Sequence, residues 1–230
     1  KSSLTTLTSA SHKRLLYVSY ENKESEIYLH DLEKGSREKV VEGYSPNWQV
    51  NGNTFSYVST VSGYAKIYEY DLNNHKEAPI TFGRWNDYDP EYSFNGSSLY
   101  FSSDRNGGVN IFQMQISNGQ VTRMTYGDEY NSGARVNQNG KLAMIHRGHK
   151  QYSVAVQKAE SAQPIANTDY ETNVAFSPNG QMLVYTTLWR NHSVLGMVSL
   201  DGKTHIRLRG DGTHIKDPAW SSYFGGLTVS

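Results

Sequence analysis

Apolar and polar residues alternate with period two in short runs along nearly the whole chain. Thr54-Phe55-Ser56-Tyr57-Val58-Ser59 and Lys66-Ile67-Tyr68-Glu69-Tyr70-Asp71 are typical, rich in aromatic and β-branched residues. Such runs predict β-strands whose side chains point to opposite faces in turn. The runs are separated by turn signals, including Asn51-Gly52, Asn95-Gly96, Asn139-Gly140 and Asn179-Gly180. Both residues of such a pair tolerate the positive φ of a tight hairpin.

These turns belong to a larger repeat in which an aromatic-centred strand precedes each Asn-Gly. It reads Pro46-Asn47-Trp48-Gln49-Val50, then Pro90-Glu91-Tyr92-Ser93-Phe94, Ala134-Arg135-Val136-Asn137-Gln138 and Val174-Ala175-Phe176-Ser177-Pro178. Pro218-Ala219-Trp220-Ser221 is a terminal half-copy. From Trp48 through Tyr92, Val136, Phe176 and Trp220 the steps are 44, 44, 40 and 44 residues. A strand-only repeat of that period predicts an all-β fold, a β-propeller of four-stranded antiparallel blades.

The copy over residues 45–83 shows how one blade is read. Strands fall at 46–50, 54–59, 66–71 and 77–81, joined by polar turns. The same parsing fits 89–127, 132–166 and 172–210. Residues 14–42 supply only three strands, so Pro218-Ala219-Trp220-Ser221 is expected to complete that first blade and close a five-bladed ring. Closure would remove two exposed sheet edges at once. Residues 1–13 are then an arm or linker remnant, and 14–230 the propeller domain.

Composition narrows the partners. Lys plus Arg and Asp plus Glu number 22 each, giving zero formal charge. A surface that tracks phosphates normally carries a basic excess, so nucleic acid is a poor candidate. The chain has no cysteine, which excludes disulfides, thiolate metal sites and cysteine nucleophiles. No apolar run approaches the roughly 20 residues that span a bilayer as a helix. The first residues lack the pattern of a signal peptide.

The loops that lead into each blade share one face of a propeller with the loops between second and third strands. Most leading loops place Tyr or Trp beside an acidic or polar residue, as expected of a protein-binding surface. The candidates are Tyr44, Trp85, Asp87, Tyr88, Tyr130, Tyr170, Glu171, His214 and Lys216, with Arg105, Arg190 and His192 from the second set. In any single loop the aromatic ring could equally pack over the neighbouring blade; recurrence around the ring favours a shared surface.

Other chemistry is weaker. His146 and His149 lack a nearby carboxylate and suit a surface or loop role better than a metal site. No Gly-x-Ser-x-Gly elbow occurs. Asp87, Asp89, Asp128, Asp169 and Asp217 stand near blade starts and could hold a calcium ion in the channel. Acceptance of backbone hydrogen bonds within their own turns is the favoured role for most of them. No cofactor is expected.

Ser45-Pro46-Asn47-Trp48, Tyr57-Val58-Ser59 and Ile67-Tyr68-Glu69-Tyr70-Asp71-Leu72 together resemble the repeats of TolB-type propellers. Val198-Ser199-Leu200-Asp201-Gly202-Lys203 followed by Asp217-Pro218-Ala219-Trp220-Ser221 is similar to the closing segment of that family. The resemblance implies a non-enzymatic, periplasmic, monomeric scaffold of the Tol–Pal envelope system. Its partners would be the lipoprotein Pal, with TolA and colicin translocation segments as further candidates. Family members carry an N-terminal α/β domain and six blades, so the chain is expected to be either a piece of a longer protein or a five-bladed relative. Two other readings stay open: an accessory propeller of a prolyl-oligopeptidase-like peptidase, and a five-bladed propeller that binds or cleaves glycans.

Overall fold

The computed structural model describes residues 13–127, 130–208, 218 and 220, together with the backbone of Leu7–Thr8. No helix occurs among the described residues, and so none is long and apolar enough to cross a membrane. Among the described residues, twenty strands form five antiparallel four-stranded sheets.

Blade one contains β1 (Leu7–Thr8), β2 (Arg14–Ser19), β3 (Glu26–Asp31) and β4 (Ser36–Glu42). Blade two contains β5 (Tyr44–Trp48), β6 (Thr54–Ser59), β7 (Lys66–Asp71) and β8 (Lys76–Pro79). Blade three contains β9 (Asp87–Tyr92), β10 (Ser98–Asn106), β11 (Gly108–Gln115) and β12 (Val121–Arg123). In blade four β13 (Tyr130–Val136), β14 (Leu142–Gly148), β15 (Gln151–Lys158) and β16 (Ser161–Thr168) follow in order. Blade five is β17 (Val174–Phe176), β18 (Met182–Trp189), β19 (His192–Ser199) and β20 (His205–Leu208). Each strand pairs with the next in sequence, the meander that short turns permit. The all-β, five-bladed reading of the sequence holds.

The first blade is completed differently from the sequence expectation. Its fourth strand is β1, paired to β2 through Leu7 with Leu16 and Thr8 with Leu15. The position expected for the C-terminal strand is therefore taken by a segment within the expected arm. Of Pro218-Ala219-Trp220-Ser221, only Pro218 and Trp220 are described, and Trp220 is 39% exposed.

Period two explains how the blades stack. On β10, Leu99 and Phe101 pack toward blade two with Ile67, while Tyr100 packs toward blade four with Leu142 and Met144. On β14 the same alternation sends Leu142 and Met144 one way, and Ala143 and Ile145 the other, onto Leu183 and Val198. A middle strand is thus buried on both faces, which accounts for its continuous apolar run. Four apolar clusters result, one at each junction of consecutive blades.

Candidate functional site

The leading loops and the loops between second and third strands meet at one end of the propeller. Asn86 of the third blade's leading loop donates from its backbone N–H and its amide to the Asp104 carboxylate, both at 2.8 Å. Asp169 accepts from Thr187 Oγ1 at 2.9 Å and from the Leu188 N–H at 3.0 Å. The shared face expected from the repeat is present in both blades.

Between blades two and three that face is held by a buried ion cluster. Asp87 is 0% exposed and bridges Lys66 Nζ at 2.9 Å and Arg105 Nη2 at 2.7 Å. Trp85 lies against both cations, its ring centroid 5.2 Å from Lys66 Nζ and 5.2 Å from the Arg105 guanidinium. Attraction between a cation and the electron-rich ring face strengthens with desolvation. The Trp85 indole N–H is buried and has no hydrogen-bond partner among the described residues. Gly83 makes room for this ring. Its φ is 106°, and a Cβ there would stand 2.3 Å from Trp85. Asp87 therefore braces the face from beneath and is withdrawn from the exposed surface where the sequence placed it. Arg105 is turned inward by the same pairing.

Between blades three, four and five the side chains converge. Tyr130 donates its hydroxyl to Glu171 at 2.5 Å, and Ser132 donates to the same oxygen at 3.2 Å. Tyr88 hydrogen-bonds Tyr130. Burial, followed by the charge of Tyr130 and Asp89, pushes the Tyr88 hydroxyl well above its usual pKa. Burial and the bond to Glu171 push Tyr130 up to about 12. Both phenols stay protonated at neutral pH and remain donors. Tyr88 and Tyr130 are half-buried, and Glu171 is exposed.

Beneath this row, Asp89 and Glu91 stand on either side of Pro90 on β9, where the register with β10 shifts between Tyr100 and Ser102 and Asp89 takes a φ of 52°. Part of each residue still reaches solvent, yet the carboxyls are deeply enclosed. Burial is the first cause holding both pKa values above the ordinary carboxylate range, with Arg135 opposing it. Glu91 accepts from Asn47 Nδ2 at 2.7 Å and from the Val136 backbone, and Asn47 accepts from the Tyr92 N–H at 2.9 Å. These bonds stitch the innermost strands of blades two, three and four.

The remaining candidates are dispersed. Tyr44 is half-buried at the start of β5, with burial, Asp89 and Tyr20 raising its pKa. Tyr170 is half-buried and its carbonyl accepts from Thr168 Oγ1 at 3.0 Å. Arg190 is exposed in the turn before β19, where its guanidinium lies 5.5 Å from the Trp189 ring, and His192 is exposed at the first position of β19. His214 and Lys216 fall outside the described residues, as do Asp128 and Asp217. The sequence missed Lys66, Ser132, Glu91 and Arg135. The last two flank the repeated aromatic, so strand alternation was the available signal for them.

The sequence also misplaced His146. It is buried, with Nδ1 2.9 Å from the Asn131 amide oxygen. Counting by two along β14 from Leu142 and Met144 puts His146 toward blade three. His149 sits in the following turn with φ 48°. Of the five aspartates considered for calcium, Asp87 faces two cations, and Asp169 accepts from Thr187 and Leu188 of β18 rather than from its own turn. Among the described residues, no group of three or more His, Asp or Glu is placed to hold a metal ion.

Fold and site together define a five-bladed propeller with a half-buried aromatic and acidic rim at one channel mouth. Its residues 1–224 match the family model of the TolB beta propeller domain, and the chain belongs to that family. It is 38% identical over 228 residues to the Tol-Pal system protein TolB of Ruthia magnifica subsp. Calyptogena magnifica, a match covering 96% of this chain and 54% of that protein. The crystal structure of TolB from Acinetobacter baumannii superposes with a TM-score of 0.85 at 29% identity, over 96% of this chain and 57% of that one. The chain thus spans little more than half the length of these two relatives. A puromycin-hydrolyzing peptidase of Mycobacterium tuberculosis superposes at TM-score 0.65 and 14% identity, covering 92% of this chain and 39% of its own, which is a likeness of fold alone.

Proposed function

We propose that this propeller is a non-enzymatic protein-binding module of a Tol–Pal system protein, acting in the periplasm as a monomer. Its partner is the lipoprotein Pal, received on the face that carries Tyr88, Tyr130 and Glu171. The observation that supports this most is the convergence of three blades on one hydrogen-bonded rim of half-buried tyrosines. Tyrosine offers large contact area with little rotamer entropy to lose, and an anchored hydroxyl lowers that loss further. The 38% identity to a protein named for the Tol-Pal system supplies the partner class. TolA and colicin segments are secondary candidates for the same mouth.

Calorimetric titration of the 230-residue chain with the soluble domain of Pal tests this. Binding should weaken by about tenfold or more in Tyr130→Ala, as truncation of a central aromatic anchor does. Glu171→Gln, an exposed change, should weaken it less. Absence of heat at low salt, or unchanged affinity in both variants, would overturn the proposal. The peptidase and glycan-cleaving readings have no comparable support, since the peptidase likeness is one of fold.

A further inference from the structure

The opposite end of the propeller, where the Asn-Gly turns lie, has a cleft of about 350 Å³ between blades three and four. Its walls are the turn after β9, the ends of β10 and β11, and the turn after β13. The lining contains no charged side chain. It consists mainly of amides and hydroxyls, whereas small-molecule pockets are usually mostly apolar.

These polar groups are held in a fixed pattern. Gln113 Nε2 donates to Ser98 Oγ at 3.0 Å and to the Tyr100 hydroxyl at 3.1 Å. Ser98 Oγ in turn donates to Gln115 Oε1 at 3.3 Å. The network uses the Gln113 amide as donor and the Gln115 amide as acceptor. Gln113 Oε1 is left to accept, while the Gln115 amide protons and the Tyr100 hydroxyl proton are left to donate. Ser98 and Tyr100 are buried, so this array is anchored in the blade.

At the rim stands Phe94, 70% exposed although it is large and apolar. It occupies the repeat position filled by Val50, Gln138 and Pro178 in the other copies, so the repeat itself does not require an aromatic there. An exposed ring beside a neutral wall of mixed donors and acceptors suits a ligand with an apolar face and hydroxyls around its edge. Each sugar hydroxyl both donates and accepts, and the C–H face of a pyranose stacks on an aromatic ring.

We propose that this cleft is a binding site for a neutral saccharide, with Phe94 as the stacking platform and Gln113, Gln115 and Tyr100 as the hydrogen-bonding wall. The site lies at the other end of the propeller from the tyrosine rim and is independent of Pal binding.

The test is amide chemical-shift titration of the 230-residue chain with cellobiose, maltose and N,N′-diacetylchitobiose, and with digalacturonate as the charged control. At least one neutral disaccharide should shift residues 93–98, 113–115 and 136–140 with a dissociation constant on the order of millimolar. Phe94→Ala, an exposed substitution that leaves the fold intact, should weaken binding about tenfold. Gln113→Leu should do the same. Three results would overturn the proposal: no shift with any neutral sugar, equal affinity in Phe94→Ala, or digalacturonate binding as tightly as the neutral sugars.

Discussion

Asp87 shows what a single position in this chain can hide. In sequence it stands between aromatics in a leading loop, with the look of a surface contact. In the structure it is enclosed with Lys66, itself 3% exposed, and Arg105. Lys66 lies 21 residues earlier, and no local pattern joins the two. Replacing Asp87 by Ala would strand both cations, at a cost of about 3–5 kcal/mol in urea denaturation. Trp85 emission should shift as the ring loses its setting. Glu91 gives a prediction of a different kind. Burial holds its folded pKa above the ordinary value, so its contribution is complete below the unfolded pKa of about 4.3 and is lost as pH rises through the folded one. Glu91→Gln should therefore unfold at a higher temperature than the parent at pH 7, with the gap closing as pH falls below about 4. A gap that stays constant across that range would contradict the burial account.

At the scale of elements, the strands were largely legible. The expected 54–59 and 66–71 are β6 and β7 to the residue, because alternation and flanking turns both mark their limits. Strand β1 was not legible. A two-residue pairing has no periodicity to read, and the competing C-terminal half-copy carried a stronger motif. The tyrosine rim was half legible: Tyr88, Tyr130 and Glu171 were each named, but their hydrogen bonds depend on how blades three to five abut. Paired strands also hold constraints that composition conceals. Gly196 on β19 lies directly across from Tyr185 on β18, and a Cβ at 196 would come within 2.5 Å of that ring. The glycine lets the tyrosine fold over its neighbour, a cross-strand arrangement known to compensate for glycine in sheets. Gly196→Ala should cost about 1–3 kcal/mol by thermal or denaturant unfolding. Tyr185→Ala, which empties part of a buried cluster, should itself cost about 3–5 kcal/mol. The double variant should lose less than the sum of the two, since both changes share one contact.

For the whole molecule, the repeat made the blade count readable, but not how the first blade is finished or how the seams are distributed. Five blades share four apolar clusters, and each cluster joins only consecutive blades. Blades two to four therefore have a cluster on each face, whereas blades one and five have one each among the described residues. Arrays of this kind behave as nearest-neighbour stacks. Amide exchange should be slowest in β6, β10 and β14 and faster throughout blades one and five. Uniform protection across all five would require a further seam. Because no single core spans the described residues, tension applied through the two ends of the chain would be borne one seam at a time. A mechanical pull should then give a staircase, each repeat of 40 or 44 residues paying out about 140–150 Å of chain as its seam parts.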